Sequence, residues 1–294
     1  MTPTPQSERL GVILRVGIFV LLVILGSAIF PWIIRLITGP GGYLITAALG
    51  TFAAAAVANA IPLRIYERGQ LADIGLGWSA ASRRNLAMGI LGGIGSALLV
   101  LVGPILARAA DIEPEPNGHA QWGSLILVSV VLLFGAAGEE MLFRGYGFQV
   151  LVRALGPFAT ILPLSVLFGL FHLPNPNVSA LGIMNTMLWG VLLGYAFIRS
   201  GDLWLPIGLH FGWNWTLPLL GENLSGFTMG MTGYSMHWKT GVLWSGGAYG
   251  PEGGLLTTGV VIVLFYYLHK APIQVQEPFL LQERPGHDKV RHVP

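Results

Sequence analysis

The chain has 294 residues, of which 53% are apolar and only 10% are charged. A soluble domain averages about 25% charged residues, so this sequence cannot build a water-facing surface. The apolar content also excludes a disordered chain, and the net charge of +2 gives no indication of a nucleic-acid partner. The absence of cysteine excludes disulfides and thiolate metal sites. The composition therefore predicts a protein that crosses the lipid bilayer several times.

Charged residues divide the sequence into apolar stretches. A spanning helix needs about 20 mainly apolar residues. Eight stretches approach that length and lie between residues 15–35, 35–64, 84–108, 119–139, 153–172, 172–199 and 202–222 and within 253–268. The predicted fold class is an all-α polytopic membrane protein with a bundle of about eight transmembrane helices.

The distribution of Lys and Arg predicts the orientation of the bundle. With the N-terminus inside, 13 basic residues, Arg144 among them, fall on cytoplasmic segments, and only Arg35, Arg108 and Lys239 fall outside. Both termini are therefore expected in the cytoplasm. We predict a cytoplasmic N-terminal segment over 1–15, a transmembrane helical domain over 16–270 and a polar, disordered cytoplasmic tail over 271–294.

One connection between the predicted helices is unusually long. Residues 221–254, called the long connection below, contain ten glycines and almost no charge. This composition is compatible with a re-entrant loop or lid, and equally with a segment that runs along the membrane surface. We favour the second interpretation, a segment that runs along the membrane surface.

Ionisable residues inside spanning segments are costly and therefore indicate function. In this chain they cluster at three places. The fourth predicted helix ends in Glu139-Glu140-Met141-Leu142-Phe143-Arg144, the fifth ends in Phe168-Gly169-Leu170-Phe171-His172, and the seventh contains His210-Phe211-Gly212-Trp213-Asn214.

Helical spacing predicts how these side chains are arranged. Glu140 and Arg144 are i,i+4 with the acid first, the favourable order for an ion pair. Glu139 lies about 100° around the helix, so it is left to face another partner. His210 and Asn214 are also i,i+4 and share one face.

Two chemistries suit this set of groups. Glu139, His172, His210 and Asn214 include the ligand types that hold a divalent metal, zinc first, with water completing the coordination. Alternatively, Glu139 takes a proton from water while a histidine polarises a carbonyl group, without any metal. Taken singly, each residue also has a structural explanation: an ion pair for Glu140 and Arg144, a helix cap for His172, and hydrogen bonds between helices for His210 and Asn214. Phe168 is expected to serve packing.

The positions along the helices present one difficulty. If the fourth helix ends near Arg144 and the fifth begins near Pro157, the rise of about 1.5 Å per residue places His172 too far outward from Glu139. We therefore expect residues 145–157 to dip into the membrane, or the fifth helix to begin late, near Pro163. A separation above about 10 Å between Glu139 and His172 would exclude a joint site.

The three motifs, in this order on successive late helices, resemble those of the CPBP (Abi) family, which comprises type II CAAX prenyl endopeptidases and bacteriocin-processing membrane proteases. The family pattern is E-E-x-x-x-R, F-x-x-x-H and H-x-x-x-N/D. Glu139-Glu140 with Arg144, Phe168 with His172, and His210 with Asn214 match it without substitution. The resemblance covers residues of about 120–220.

The resemblance implies an intramembrane endopeptidase, described for the family both as a metalloprotease and as a metal-independent glutamate peptidase. Glu139 would activate water with His172 beside it, while His210 and Asn214 would bind metal or stabilise the oxyanion. Glu140 and Arg144 would support the site. The implied partners are the lipid bilayer and a membrane-associated peptide, prenylated in some hosts, and the expected location is the bacterial plasma membrane.

Two other classes of function remain open at this point. In a proton-coupled transporter, Glu139, His172 and His210 would form a proton relay; matching broken helices in two repeated halves would favour it, and the sequence shows no repeat. In a non-catalytic scaffold or immunity protein, the same fold would be kept without cleavage.

Overall fold

The computed structural model describes residues 5–39, 42–115, 118 and 122–282. About 75% of the described residues are helical. The helices of the described part are α1 (Pro5–Thr38), α2 (Tyr43–Pro62), α3 (Ala80–Leu106), α4 (Trp122–Arg144), α5 (Tyr146–Leu155), α6 (Pro157–Phe171), α7 (Ala180–Ser200), α8 (Trp204–Leu219), α9 (Val242–Ser245) and α10 (Leu255–Lys270).

Five helical stretches are long and apolar enough to cross a membrane: Glu8–Thr38, Tyr43–Glu67, Ala80–Leu106, Trp122–Leu155 and Ala180–Ser200. Helices α6 and α10 are apolar but shorter. Large apolar side chains such as Ile13 and Leu127 are exposed along these helices, as expected where the solvent is lipid. The protein is therefore a multi-pass membrane protein, and this criterion of length and apolarity does not reach the predicted count of eight.

The all-α prediction overlooks a small β-sheet. Strands β1 (Ala110–Pro114) and β2 (Tyr234–Trp238) pair antiparallel, with Ala110 opposite Trp238. Strand β2 lies within the long connection, which also contains α9 and two short 3₁₀ turns. The pairing fixes this glycine-rich segment to the end of the bundle where α3 leads towards α4.

Helices α3 and α8 pack closely because glycines line the contact. A Cβ atom on Gly93 would lie 2.3 Å from the carbonyl oxygen of Leu209, and one on Gly208 would lie 2.5 Å from that of Leu86. Small residues at such spacing let helix backbones approach closely in membrane proteins. The contact fixes the position of α8, and with it the position of His210.

The segment after α10 is packed against the bundle in its described part. The backbone N–H of Gln276 donates to the carbonyl of Ser200 at 2.7 Å, and Asn85 exchanges hydrogen bonds with the backbone of Gln274. Asp202 is 2% exposed and accepts hydrogen bonds from the side chains of Asn85 and Gln276. The predicted disorder therefore does not begin at residue 271, because these polar contacts hold residues 271–282; residues 283–294 lie outside the described part.

Helices α4 and α5 are separated by a break at Gly145, which Asn59 of α2 stabilises. The Asn59 amide donates to the carbonyl of Met141 at 3.0 Å and accepts from the N–H of Tyr146 at 2.6 Å. A Cβ atom on residue 145 would lie 2.2 Å from the Asn59 oxygen, so only glycine fits there. The helix resumes at once, and residues 122–155 remain one candidate span.

This arrangement changes the interpretation of Arg144. The distribution of charge predicts a cytoplasmic position for this residue, but Arg144 lies within the candidate span and is only 2% exposed. Its guanidinium donates to the carbonyl of Gly190 at 2.8 Å on α7. Arg144 therefore belongs to the interior of the bundle, and the segment 145–155 continues the span as α5.

The pKa of Glu222, in the long connection, leads to a prediction about the stability of the protein at different pH values. Burial raises the pKa of its carboxyl group from 4.5 to about 7, although Trp238 donates a hydrogen bond to it at 2.6 Å. The folded protein favours the protonated form of Glu222. The contribution of this group to the free energy of unfolding is therefore full below about pH 4.5 and is lost as the pH rises through 7. We expect the melting temperature of the wild-type protein to fall across this window, and the fall to be smaller in Glu222→Gln.

Thermal unfolding in detergent at a series of pH values measures this effect. Glu113→Gln is the matched control, since Glu113 is exposed on β1 and pairs only loosely with His237. Identical pH profiles for the wild type and Glu222→Gln would contradict the assignment.

Candidate active site

Helix lengths bring Glu139 and His172 to the same depth. Glu139 lies 16 residues before the end of α5, about 24 Å along the helix axis, and His172 lies 15 residues after the start of α6, about 22 Å. The chain reverses between these helices at Gly156, which has a φ of 87°. This removes the difficulty with the depth of His172. Helix α5 lengthens the fourth span by about the distance that α6 runs back before it reaches the depth of Glu139.

The carboxylate of Glu139 faces two imidazoles. Its Oε2 atom lies 3.9 Å from Nε2 of His172 and 3.9 Å from Nε2 of His210. These side chains come from α4, from the C-terminal end of α6 and from α8. The separation is far below the 10 Å that would have excluded a joint site.

Glu140 points away from Glu139 and is fully buried. Its Oε1 lies 2.9 Å from Nδ1 of His210 and 3.2 Å from Nη1 of Arg144. The predicted i,i+4 ion pair with Arg144 is present, and the contact with His210 adds a second partner. Arg144 balances the charge of Glu140, and Glu140 orients the imidazole of His210.

The hydrogen bonds of both histidines determine which nitrogen faces Glu139. Nδ1 of His172 lies 2.8 Å from the carbonyl oxygen of Phe168, which can only accept, so this nitrogen carries the hydrogen. Nδ1 of His210 faces the carboxylate of Glu140 in the same way. In the neutral form of each ring, Nε2 is therefore an acceptor that faces Oε2 of Glu139. A proton donor such as water fits between them, since a molecule about 2.8 Å from each atom bridges this gap.

A cavity of about 900 Å³ opens beside these groups. Asn214, one turn along α8 from His210, lines it together with Glu139 and both histidines. Most of the remaining wall is apolar and includes Leu132, Phe171, Trp189, Trp213, Leu224 and Phe227. The geometry thus gathers the four residues predicted for the site around one space large enough for a segment of peptide.

The spacing of the candidate ligands determines whether they fit a metal ion. Ligand atoms about 2.0–2.1 Å from a tetrahedral zinc ion are about 3.4 Å apart, less than the 3.9 Å between Glu139 and either histidine. Within the described ranges, no group of three or more His, Asp and Glu side chains is arranged to hold a metal ion. As placed, the residues do not form a metal site.

Residues 121–216 match the family model described as type II CAAX prenyl endopeptidase Rce1-like. The match covers about a third of the chain and includes α4 to α8 up to Thr216, and hence every residue of the three motifs. No curated protein and no solved structure matches the chain.

The helices define a multi-pass membrane protein, and residues 121–216 are similar to a family of membrane endopeptidases. The resemblance seen in the three motifs is confirmed over residues 121–216, where the chain matches the Rce1-like family model. Helices α1 to α3 and α10 lie outside the matched segment.

Sequence reasoning missed two polar residues beside the site. Asn59 stabilises the break after α4, and Glu252 of the long connection lines the cavity. Asn59 lies in an otherwise apolar stretch, so its polarity was an available signal. Phe168, expected to serve packing, lies with its ring centroid 4.9 Å from the guanidinium of Arg144 and 4.9 Å from the His172 ring.

Replacement of Arg144 by Ala tests the buried ion pair. The change leaves the Glu140 carboxylate buried without its cation, a loss of about 3–5 kcal/mol in the free energy of unfolding. We expect a lower melting temperature in detergent. Arg153→Ala is the matched control, because Arg153 is an exposed arginine on the adjoining α5. Equal melting temperatures for the wild type and Arg144→Ala would contradict a structural role for the pair.

Proposed function

We propose that this protein is an intramembrane endopeptidase in which Glu139 activates water to hydrolyse a peptide bond. The observation that carries the proposal is the approach of Glu139 Oε2 to Nε2 of both His172 and His210, at 3.9 Å each, beside a largely apolar cavity. A general base needs hydrogen-bond reach to its proton, directly or through water. The family match supports the reaction class.

In the proposed reaction, a water molecule held between Glu139 and the imidazoles attacks the carbonyl carbon of the peptide. Glu139 accepts a proton from the water as the new C–O bond forms, and the carbonyl oxygen becomes an oxyanion. The amide of Asn214 donates a hydrogen bond to this oxyanion. The proton held by Glu139 then passes to the amide nitrogen, the oxyanion returns to a carbonyl group as the C–N bond breaks, and the products are a carboxylic acid and an amine. Transfer of the remaining proton from the acid to the amine gives the carboxylate and the ammonium group that leave the site.

The histidines hold the water and exchange its protons. Water has two hydrogens, so it donates one to Glu139 and the other to Nε2 of one histidine at a time; an Nε2 that takes up a proton becomes a donor. Nδ1 of His210 donates a hydrogen bond to Glu140, and the guanidinium of Arg144 pairs with the same carboxyl group. His210 is thus positioned by a charged pair, and His172 by a backbone carbonyl.

The proposed substrate is a peptide that reaches the site from or along the bilayer, with CAAX-type prenylated peptides as the first class to test. We further propose eight spanning helices with both termini in the cytoplasm and a location in the bacterial plasma membrane. The shorter α6, α8 and α10 would complete the count. The distribution of Lys and Arg still supports this orientation after Arg144 is removed from the cytoplasmic set.

A second form of the same chemistry uses a divalent ion, zinc first, held by Glu139, His172, His210 and Asn214. The hydrogen bonds from Nδ1 of both histidines favour it, because metal-binding histidines usually donate their other N–H to a carbonyl or carboxylate. The spacing of the ligand atoms favours the metal-free form.

Cleavage by single variants tests the proposed base. We expect Glu139→Gln to lower the rate of cleavage of a farnesylated peptide by about 10³-fold or more, with an unchanged melting temperature, because the base is lost and the shape is kept. His172→Ala is expected to act in the same direction. Mass spectrometry of the products measures the rate.

Glu115→Gln is the control for this measurement, since Glu115 is a carboxylate before α4 and does not line the cavity. Full cleavage by Glu139→Gln would overturn the mechanism. A biological activity that survives in Glu139→Gln while no peptide is cleaved would favour the scaffold, and proton-coupled uptake into vesicles would favour the transporter.

Metal analysis separates the two forms of the reaction. We expect detergent-purified wild-type protein to contain far less than one equivalent of zinc or another divalent ion, and chelators to leave cleavage unchanged, because the ligand atoms stand too far apart. The measurement is elemental analysis of the wild type beside His172→Ala and His210→Ala. One equivalent of metal in the wild type that is lost in both variants would establish the metal-bound form.

A further inference from the structure

The wall of the cavity includes a second carboxylate besides that of Glu139. Glu252, near the end of the long connection, lines the same cavity as Glu139 and is 9% exposed. It lies outside the segment matched by the family model. Its Oε1 accepts a hydrogen bond from Trp213 at 3.2 Å, and its Oε2 accepts two from Ser225, at 2.6 Å from the backbone N–H and 2.7 Å from the hydroxyl.

These hydrogen bonds leave the charge of Glu252 without a counterion. All three donors are neutral groups, and no ion pair of the described residues includes Glu252. Of the described residues that line the cavity, none is Lys or Arg. A carboxylate in such a poorly solvated place gains most from a cation that enters beside it.

The carboxylate of Glu252 lies on one side of the proposed scissile position. Trp213 follows His210 by three residues, about 4.5 Å along the axis of α8, and its indole reaches Glu252. An extended peptide advances about 3.3 Å per residue. An extended peptide that follows α8 from Glu139 therefore advances from the first carboxylate towards Glu252 within a few residues.

We propose that Glu252 is a specificity-determining residue that binds a cationic side chain, Lys or Arg, of the peptide held in this cavity. The inference rests on the proposed function, since it assumes that the cavity accepts a peptide. With two carboxylates and no Lys or Arg in its described wall, the cavity attracts positive charge and repels negative charge. An acidic residue at the same peptide position is disfavoured for the same reason.

Glu252 also fastens the long connection to α8, and a purely structural role predicts a different result. A fastening contact contributes equally for every peptide, whatever the charge of the peptide. A charge-selective subsite changes the ratio of affinities between peptides that differ at one position. The test therefore measures that ratio and not the activity alone.

The probes are end-blocked, dye-labelled peptides that carry a single Lys, Met or Glu at successive positions. Binding is measured by fluorescence anisotropy on the Glu139→Gln protein, which holds the peptides without the proposed base. At one position we expect the Lys peptide to bind about tenfold more tightly than the Met peptide, with the Glu peptide weakest. Addition of Glu252→Gln should bring the three peptides to within about twofold of one another.

Two further variants keep the test independent of folding. Ser225→Ala removes one fastening hydrogen bond and retains the charge of Glu252, so the preference for Lys should remain. Glu222→Gln removes a buried carboxylate of the same connection that does not line the cavity, and should also retain it. Equal binding of the three peptides, or a Lys preference that survives Glu252→Gln, would overturn the proposal.

The cleavage assay distinguishes this failure from failure of the proposed function. Charge-selective binding without cleavage by the wild type would contradict the peptidase and leave the subsite standing. Cleavage of all three peptides with the same kcat/KM by the wild type would support the peptidase and contradict the subsite.

Discussion

A carboxylate with no exposed surface is stable in a bundle only if other groups balance its charge, and Glu140 meets this condition through two partners. Arg144 lies one turn along the same helix, and His210 reaches it from α8. The contact therefore joins two helices that the sequence separates by 70 residues. Because it fixes the ring of His210, it also sets where Nε2 meets Glu139. The reactive geometry depends on a residue that does not itself face the cavity.

Two interruptions of the helices give this pair its surroundings. At Gly145 the chain breaks and resumes, and Asn59 accepts from the N–H of Tyr146, a group that a continuous helix would have paired. At Gly156 it reverses into α6, whose last residue is followed by His172. The cost of polar groups inside the bundle is met by short-range hydrogen bonds at each break. Glu139 lies near the middle of the span 122–155 because the interruptions at Gly145 and Gly156 both lie nearer the end of that span.

The sequence was sufficient for the parts of the site that follow from local spacing. The i,i+4 order of Glu140 and Arg144 and the shared face of His210 and Asn214 are properties of one helix, and the family resemblance supplied the order of the motifs. The depth of His172 is harder to predict from the sequence. The charge of Arg144 suggests the end of a spanning helix, whereas the residue is buried within the span. Glu252 was not found, since its approach to Trp213 depends on the course of the long connection. The pairing of β1 with β2 was missed for the same reason.

That pairing has a consequence for the order in which the protein forms. Ala110 and Trp238 are 128 positions apart, and contacts between such distant residues are made late because the intervening chain must first be arranged. During synthesis, Glu139, His172 and His210 all leave the ribosome before β2 does. The acid–histidine cluster can therefore assemble while its cavity is still open on the side of the long connection. The long connection then adds the wall formed by Leu224, Ser225, Phe227 and Glu252, and a chain that stops after α8 would have the reactive groups without this wall.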